Sequence, residues 1–289
     1  MTVRADISRR QGIMAVLVLY GRPLEDAVSW PVLRSWLDDD SHAGLRHCLV
    51  YDNSPMSLTD GGSLPANAHL LHDPDNSGTA GAYAAAVDYA ARTGCEWLLL
   101  LDQDTALPAD YLAIARETMA ATPDAEVMVP RVRHDAQLVS PATITRAGTV
   151  RPCAAPDHVA GMTTAISSGA VVRRRAIENV VFPPSIWLDY VDHWLFLRLH
   201  RHGAYVAVID TDLSHDLSVR TPATLSAARL ASILAAESTF YIALGGRARA
   251  VLPLRRLMRA ARYAAIGRLA LAGTVLRTLI DPARLPHHD

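Results

Sequence analysis

A chain of 289 residues with a formal net charge of −1, half of it hydrophobic and a fifth charged, is long enough to bury a full core. It lacks the basic excess expected of a nucleic-acid binder. Its 28 basic side chains are all arginine, and Cys48, Cys95 and Cys153 are scattered with no Cys-x-x-Cys, which argues against a disulfide framework or a cysteine zinc site and fits a reducing cytoplasm.

Met1 to Gln11 is polar, and no uninterrupted apolar run reaches about 18–20 residues, so neither a signal peptide nor a membrane span is expected. Ile13 to Leu19 reads as a first strand, and Leu24 to Leu37 has helical spacing. Cys48 to Tyr51 and Ala68 to Leu71 are further short strands, each ending in an Asp- and Asn-rich turn. Thr79 to Arg92 is an alanine-rich helix stopped by Gly94, followed by the apolar strand Trp97 to Leu101. A helix from about Ala109 to Ala120 and a strand from Glu126 to Val129 complete the alternation. Strands alternating with helices imply βαβ units and a parallel sheet.

From Arg131 to Val159 the periodicity fades into loops and short antiparallel strands, and strand character returns over Met162 to Arg173 around Ser167-Ser168-Gly169. Trp187 to His202 is predicted helical with Gly203 as its stop, and Tyr205 to Ile209 is the last strand. Beyond Thr221 the chain reads as helix, broken near Gly245-Gly246 and Pro253. Nine arginines against Asp281 and Asp289 make the tail from Arg247 basic. Its Leu254, Leu257, Met258, Ala261, Ala265, Leu269 and Leu276 fall near helical spacing, with Arg255, Arg259 and Arg262 on another side. That helix either packs on its own domain with a solvated arginine face or lies on an anionic membrane surface.

Asp102-Gln103-Asp104 follows directly on the leucine-rich strand. Ligands of open α/β sheets sit at the carboxyl ends of such strands, and two carboxylates one residue apart there can hold a hard divalent cation that binds a diphosphate. Other polar clusters recur at strand ends: Tyr20-Gly21, Asp52-Asn53-Ser54, Asn76-Ser77-Gly78-Thr79-Ala80-Gly81, Asp189-Tyr190-Val191-Asp192 and His215. No G-x-G-x-x-G is present, so a dehydrogenase-type dinucleotide site has no support.

Together, in this order and spacing, these clusters resemble glycosyltransferase family 2, and within it the bacterial rhamnosyltransferase-like branch, over roughly Met14 to Leu217. The densest match runs from Asn76 to Thr105 and ends in Asp-Gln-Asp. The resemblance implies an α/β fold of the GT-A type, a nucleotide-sugar-binding, mostly parallel sheet flanked by helices, over residues 1–217. A C-terminal helical extension, residues 218–289, would pack on it. It implies a metal-dependent, inverting transferase moving L-rhamnose from dTDP-β-L-rhamnose onto a cell-surface glycan or lipid-linked acceptor, in the cytoplasm or peripheral on the inner face of the membrane.

Carried over by residue, Tyr20 and Asp52 line the nucleotide pocket, Asp52 accepting from a pyrimidine base or else simply closing an Asx turn. Asn76 and Gly78 border the donor, or else form an ordinary cap with small residues for close packing. Asp102 and Asp104 hold Mg²⁺ or Mn²⁺ against the donor's diphosphate, with His215 completing the metal site. Asp192 is the catalytic base, and Trp187, Asp189 and His193 face the acceptor. Asp189 and Asp192, three apart, would share one face at a helix start. The family pattern has Glu two residues after the base, where this chain has Trp194. The departure leaves the acceptor side open and allows an inactive nucleotide-sugar-binding relative. The sequence also admits a UDP-hexose donor. A haloacid-dehalogenase-like phosphotransferase would share the apolar strand and Asp-x-Asp, but Ala106 stands where that motif needs Thr or Val.

Overall fold

A computed structural model describes residues 12–39, 44–155, 161–214 and 225–280. Its strands are β1 (Ile13–Leu19), β2 (His47–Asp52), β3 (Ala68–His72), β4 (Trp97–Asp102), β5 (Val127–His134), β6 (Gln137–Ser140), β7 (Ala142–Ile144), β8 (Val150–Pro152), β9 (Met162–Thr164), β10 (Val171–Arg173) and β11 (Val206–Ser214). The helices are α1 (Trp30–Leu37), α2 (Gly78–Thr93), α3 (Tyr111–Ala121), α4 (Arg174–Ile177), α5 (Val191–Arg201), α6 (Ala227–Leu244), α7 (Gly246–Ala265) and α8 (Leu269–Ile280).

The main sheet has the order β11-β5-β10-β4-β1-β2-β3, with β6 hairpinned onto β5. All neighbours along that path are parallel except β10, which runs antiparallel between β4 and β5. A small antiparallel sheet, β8-β7-β9, stands beside it. The central strands read as unbroken apolar runs because both faces are covered. Alternation sorts them: Met14, Val16, Leu98 and Leu100 pack with α2, α5 and α6 on one face. Ile13, Ala15, Leu99 and Leu101 pack with α1 and α3 on the other.

Several predicted bounds shift for local reasons. The run Leu24–Leu37 is a 3₁₀ turn and then α1, because the Val28 N–H leaves the helix pattern to donate to the Gln103 carbonyl at 2.8 Å. Ser167-Ser168-Gly169 is the turn between β9 and β10 rather than part of a strand. Trp187 to Tyr190 lies outside α5, since Tyr190 adopts φ 63° just before the helix. Pro253 is accommodated within α7, and the second break comes instead at Gly267, with φ 74°.

Helix α6 is long and apolar enough to cross a membrane. Here Phe240 and Tyr241 join the core of the α2 and α5 face, and Glu237 is buried. Arg259 reaches Glu237 at 2.7 Å and Arg256 at 3.4 Å, while Arg256 also donates to the Leu234 carbonyl at 2.8 Å and to Ser238 at 2.6 Å. Breaking a buried pair leaves an uncompensated charge, which costs more than the pair itself contributes. Glu237→Ala is therefore expected to lower unfolding free energy by about 3–5 kcal/mol, read by urea denaturation.

Candidate active site

β1 and β4 are adjacent and parallel, with Val18 level with Asp102, so their carboxyl ends open together into one cleft of about 470 Å³. Tyr20, Asp102, Asp104, Asp192 and His193 all line it. Gln103, between the two aspartates, bolts the strand ends together: its side-chain oxygen accepts the Tyr20 N–H at 2.8 Å.

The antiparallel direction of β10 puts the turn before it at the same end of β4. There the Gly169 N–H donates to the Leu100 carbonyl at 2.7 Å, and the Asp102 N–H to Ser168 Oγ at 2.9 Å. Gly169 has φ 89°, and Pro130 and Leu213 fill the space a Cβ would need. The neighbouring Ser167 donates to Asp192 Oδ1. Because the Ser167 proton is so used, the contact of 2.6 Å between Tyr83 and Ser167 is a donation from the phenol. The result is a relay Tyr83→Ser167→Asp192, ending on a carboxylate in the first turn of α5, where the helix dipole favours negative charge. Asp192 Oδ2 has no hydrogen bond among the described residues. Thr164 on β9 meets His193 Nδ1 at 2.8 Å and fixes the start of α5 to the small sheet.

Among the described residues, three carboxylates line the cleft and no arginine does. Burial, then Asp192, then Asp104 push the Asp102 carboxyl up to about 7. Burial and the charges of Asp102 and Asp192 keep the Tyr83 phenol protonated, consistent with its role as donor. Among the described residues no group of three or more His, Cys, Asp or Glu side chains is gathered to hold a metal ion. Two carboxylates one residue apart instead suit a hard cation that takes its other ligands from water or phosphate oxygens. Such a cation would relieve the carboxylate repulsion that adds to burial in raising Asp102, so the residues fit the group. His215 lies outside the described residues.

The remaining predicted residues lie elsewhere. Asp52 does not line the cleft; it is fully buried, and its Oδ1 accepts the Ser54 N–H at 2.9 Å, closing an Asx turn. Its Oδ2 is buried without a hydrogen-bond partner among the described residues. Asn76, at φ 55°, and Trp187 line a separate groove. Gly78 serves close packing: its N–H donates to Asn53 at 3.1 Å, and a Cβ there would sit 2.4 Å from the Trp187 carbonyl oxygen and 2.6 Å from its ring. With φ 71° as well, Gly78→Ala is expected to cost about 2–4 kcal/mol, read by thermal denaturation. Asp189 does not line the cleft with Asp192 and is paired with Arg229 of α6. Trp194 is core, 8% exposed, its indole donating to the Val181 carbonyl at 2.9 Å, so this position offers the cleft nothing.

No family model matches the sequence, and no curated protein does. Among solved structures, that of residues 1–349 of S. aureus TarS superposes with a TM-score of 0.53 at 13% identity, covering 94% of this chain and 92% of that one. Its complex with UDP gives 0.51 at 14% identity, over the same 94% and 92%. The complex with UDP-GlcNAc gives 0.50 at 12% identity, again over 94% and 92%. Identities this low speak to architecture alone: the chain has a GT-A-like glycosyltransferase fold.

Proposed function

We propose that the cleft binds a nucleoside-diphosphate sugar and transfers the sugar, with inversion, to a hydroxyl of a glycan or lipid-linked acceptor. The observation that carries this reading is the placing of Asp102, Asp104 and Asp192 in one cleft at the carboxyl ends of β1 and β4, with no arginine among the described residues of its lining. Asp192 Oδ2 takes the acceptor hydroxyl's proton as that oxygen attacks the anomeric carbon from the side opposite the diphosphate. Ser167 holds Oδ1 and, backed by Tyr83, aims the carboxylate. The exposed Tyr20 ring at the cleft mouth offers a face for the nucleotide base. Bound by Asp102 and Asp104, Mg²⁺ or Mn²⁺ would stabilise the charge that develops on the leaving diphosphate.

The donor proposed is dTDP-β-L-rhamnose, giving an α-L-rhamnoside, on the strength of Asp102-Gln103-Asp104 after its leucine-rich strand. The likeness to TarS, crystallised with UDP and with UDP-GlcNAc, favours a UDP-hexose as second reading. The fold gives a haloacid-dehalogenase-type phosphotransferase no support. The test is release of nucleoside diphosphate from dTDP-L-rhamnose, UDP-glucose and UDP-GlcNAc in Mn²⁺, with and without a lipid-linked glycan acceptor. Faster acceptor-dependent release of dTDP is expected. Faster release of UDP would keep the transferase and overturn the sugar; no release from any donor would overturn the reading.

A further inference from the structure

Helix α7 buries Ala248, Leu252 and Ala260 as an ordinary surface helix would, but it turns arginines inward beside them. Arg256 is 3% exposed and, with Arg259, pairs inward with Glu237. Arg255 also turns inward, donating to the carbonyls of Gly148 at 2.9 Å and Ala147 at 3.0 Å. A second apolar stripe, distinct from Ala248, Leu252 and Ala260, faces out. Leu254, Leu257 and Met258 are 58%, 49% and 57% exposed, and Ala261 and Ala265 are exposed beside them. At 100° per residue, these five fall within about 100° of one another around the helix. Ile266 and Leu269, 58% and 70% exposed, extend the apolar surface into the start of α8. Contiguous large apolar side chains left this open mark an interaction surface.

The charge around the face selects its partner. Residues 246–280 contain eight arginines and no Asp or Glu. Arg255, Arg256 and Arg259 turn inward, whereas Arg247, Arg249, Arg262 and Arg277 are exposed. Arg247, at the amino end of the stripe, also lines a groove with Arg146, His200 and Arg201, and no acidic side chain lines it among the described residues. Two copies of such a face brought together would oppose like charges, which disfavours a dimer through it. An apolar stripe flanked by arginines, with no acidic residue in 246–280, complements an anionic lipid surface.

We propose that α7 and the start of α8 lie in the surface of an anionic bilayer. Leu254, Leu257, Met258, Ile266 and Leu269 enter the boundary between headgroups and acyl chains, and Arg247, Arg249 and Arg262 meet the headgroups. This face is separate from the cleft and stands whether or not the proposed reaction does. Deleting residues 247–289 would strip Glu237 of both its arginines, so point variants of exposed side chains are the appropriate test.

The experiment is co-sedimentation of the full chain with vesicles of phosphatidylcholine mixed with phosphatidylglycerol, and with phosphatidylcholine alone. Wild type is expected to pellet with the anionic vesicles and poorly with the neutral ones. Leu254→Glu/Met258→Glu is expected to bind at least about tenfold less, with circular dichroism and melting temperature unchanged. Arg247→Ser/Arg249→Ser/Arg262→Ser is expected to weaken binding in a salt-dependent way. Failure of wild type to pellet with anionic vesicles, or equal pelleting by the Glu double variant, would overturn the proposal. So would a lipid-free dimer in ultracentrifugation that the same double variant dissociates, since the face would then belong to a second copy.

Discussion

Replacing Asp192 with Asn is expected to lower turnover about 10²–10⁴-fold while leaving nucleoside-diphosphate affinity nearly unchanged. The amide keeps an oxygen for the Ser167 hydroxyl, so the side chain stays in place, but it cannot accept the acceptor's proton. A second effect separates catalysis from a merely structural role. The charge of Asp192 helps raise the Asp102 carboxyl, so removing it lets Asp102 ionise at lower pH, visible as an acid-ward shift in the pH profile of cation binding. Ser167→Ala, which removes the aiming hydroxyl but not the base, is expected to cost less in turnover than Asp192→Asn. Full turnover by Asp192→Asn would remove that residue from the mechanism.

Asp102→Asn is expected to abolish cation-dependent nucleotide binding and, at the same time, to stabilise the metal-free protein above pH 7. The folded carboxyl titrates at about 7, above the roughly 3.9 of an unfolded Asp. Below about pH 4 both states hold the proton and nothing is lost. Between those values the folded state keeps a proton that the unfolded state has released, so stability falls as pH rises; above about 7 the cost is complete. Asn removes it, a gain on the order of 2–4 kcal/mol at pH 8 in chelator and none at about pH 3.5, measured by urea denaturation at both pH values. Cations compete with that proton, so Mn²⁺ affinity of the wild type is expected to climb with pH and flatten above about 7. Stability equal to wild type at pH 8 would mean that burial and the neighbouring carboxylates do not hold Asp102 protonated.

Much of the scaffold is legible in the sequence because local pattern and tertiary demand agree there. Ile13–Leu19 and Trp97–Leu101 are continuous apolar runs because the sheet is covered on both faces, and Gly94 ends α2 with φ 73° as a glycine stop should. Asp102, Asp104 and Asp192 stand out because carboxylates at strand ends and helix starts are visible in one dimension. Ser167 and Ser168 read as strand because a small-residue turn flanked by apolar residues looks strand-like. Only the antiparallel insertion of β10 shows that the turn reaches the cleft.

Asp189 departs from expectation for a similar reason. Spacing of three predicts a shared helix face, but the left-handed Tyr190 ends that logic one residue before the helix, and Arg229, 40 residues away, captures the side chain. In α7, periodicity correctly gives two faces but cannot say which turns inward. That choice is made by Glu237 on another helix and by the carbonyls of Ala147 and Gly148. Gly78 and Trp187, expected beside a ligand, instead touch each other.

Whether this cleft is a nucleotide-sugar site is decided by isothermal titration of dTDP and UDP into the wild type and Asp104→Ala, each with Mn²⁺ and in chelator. Binding by the wild type is expected to require Mn²⁺, to be tighter for dTDP, and to be lost in Asp104→Ala. Binding that is indifferent to Mn²⁺ and to Asp104, or no binding of either nucleotide, would contradict the assignment.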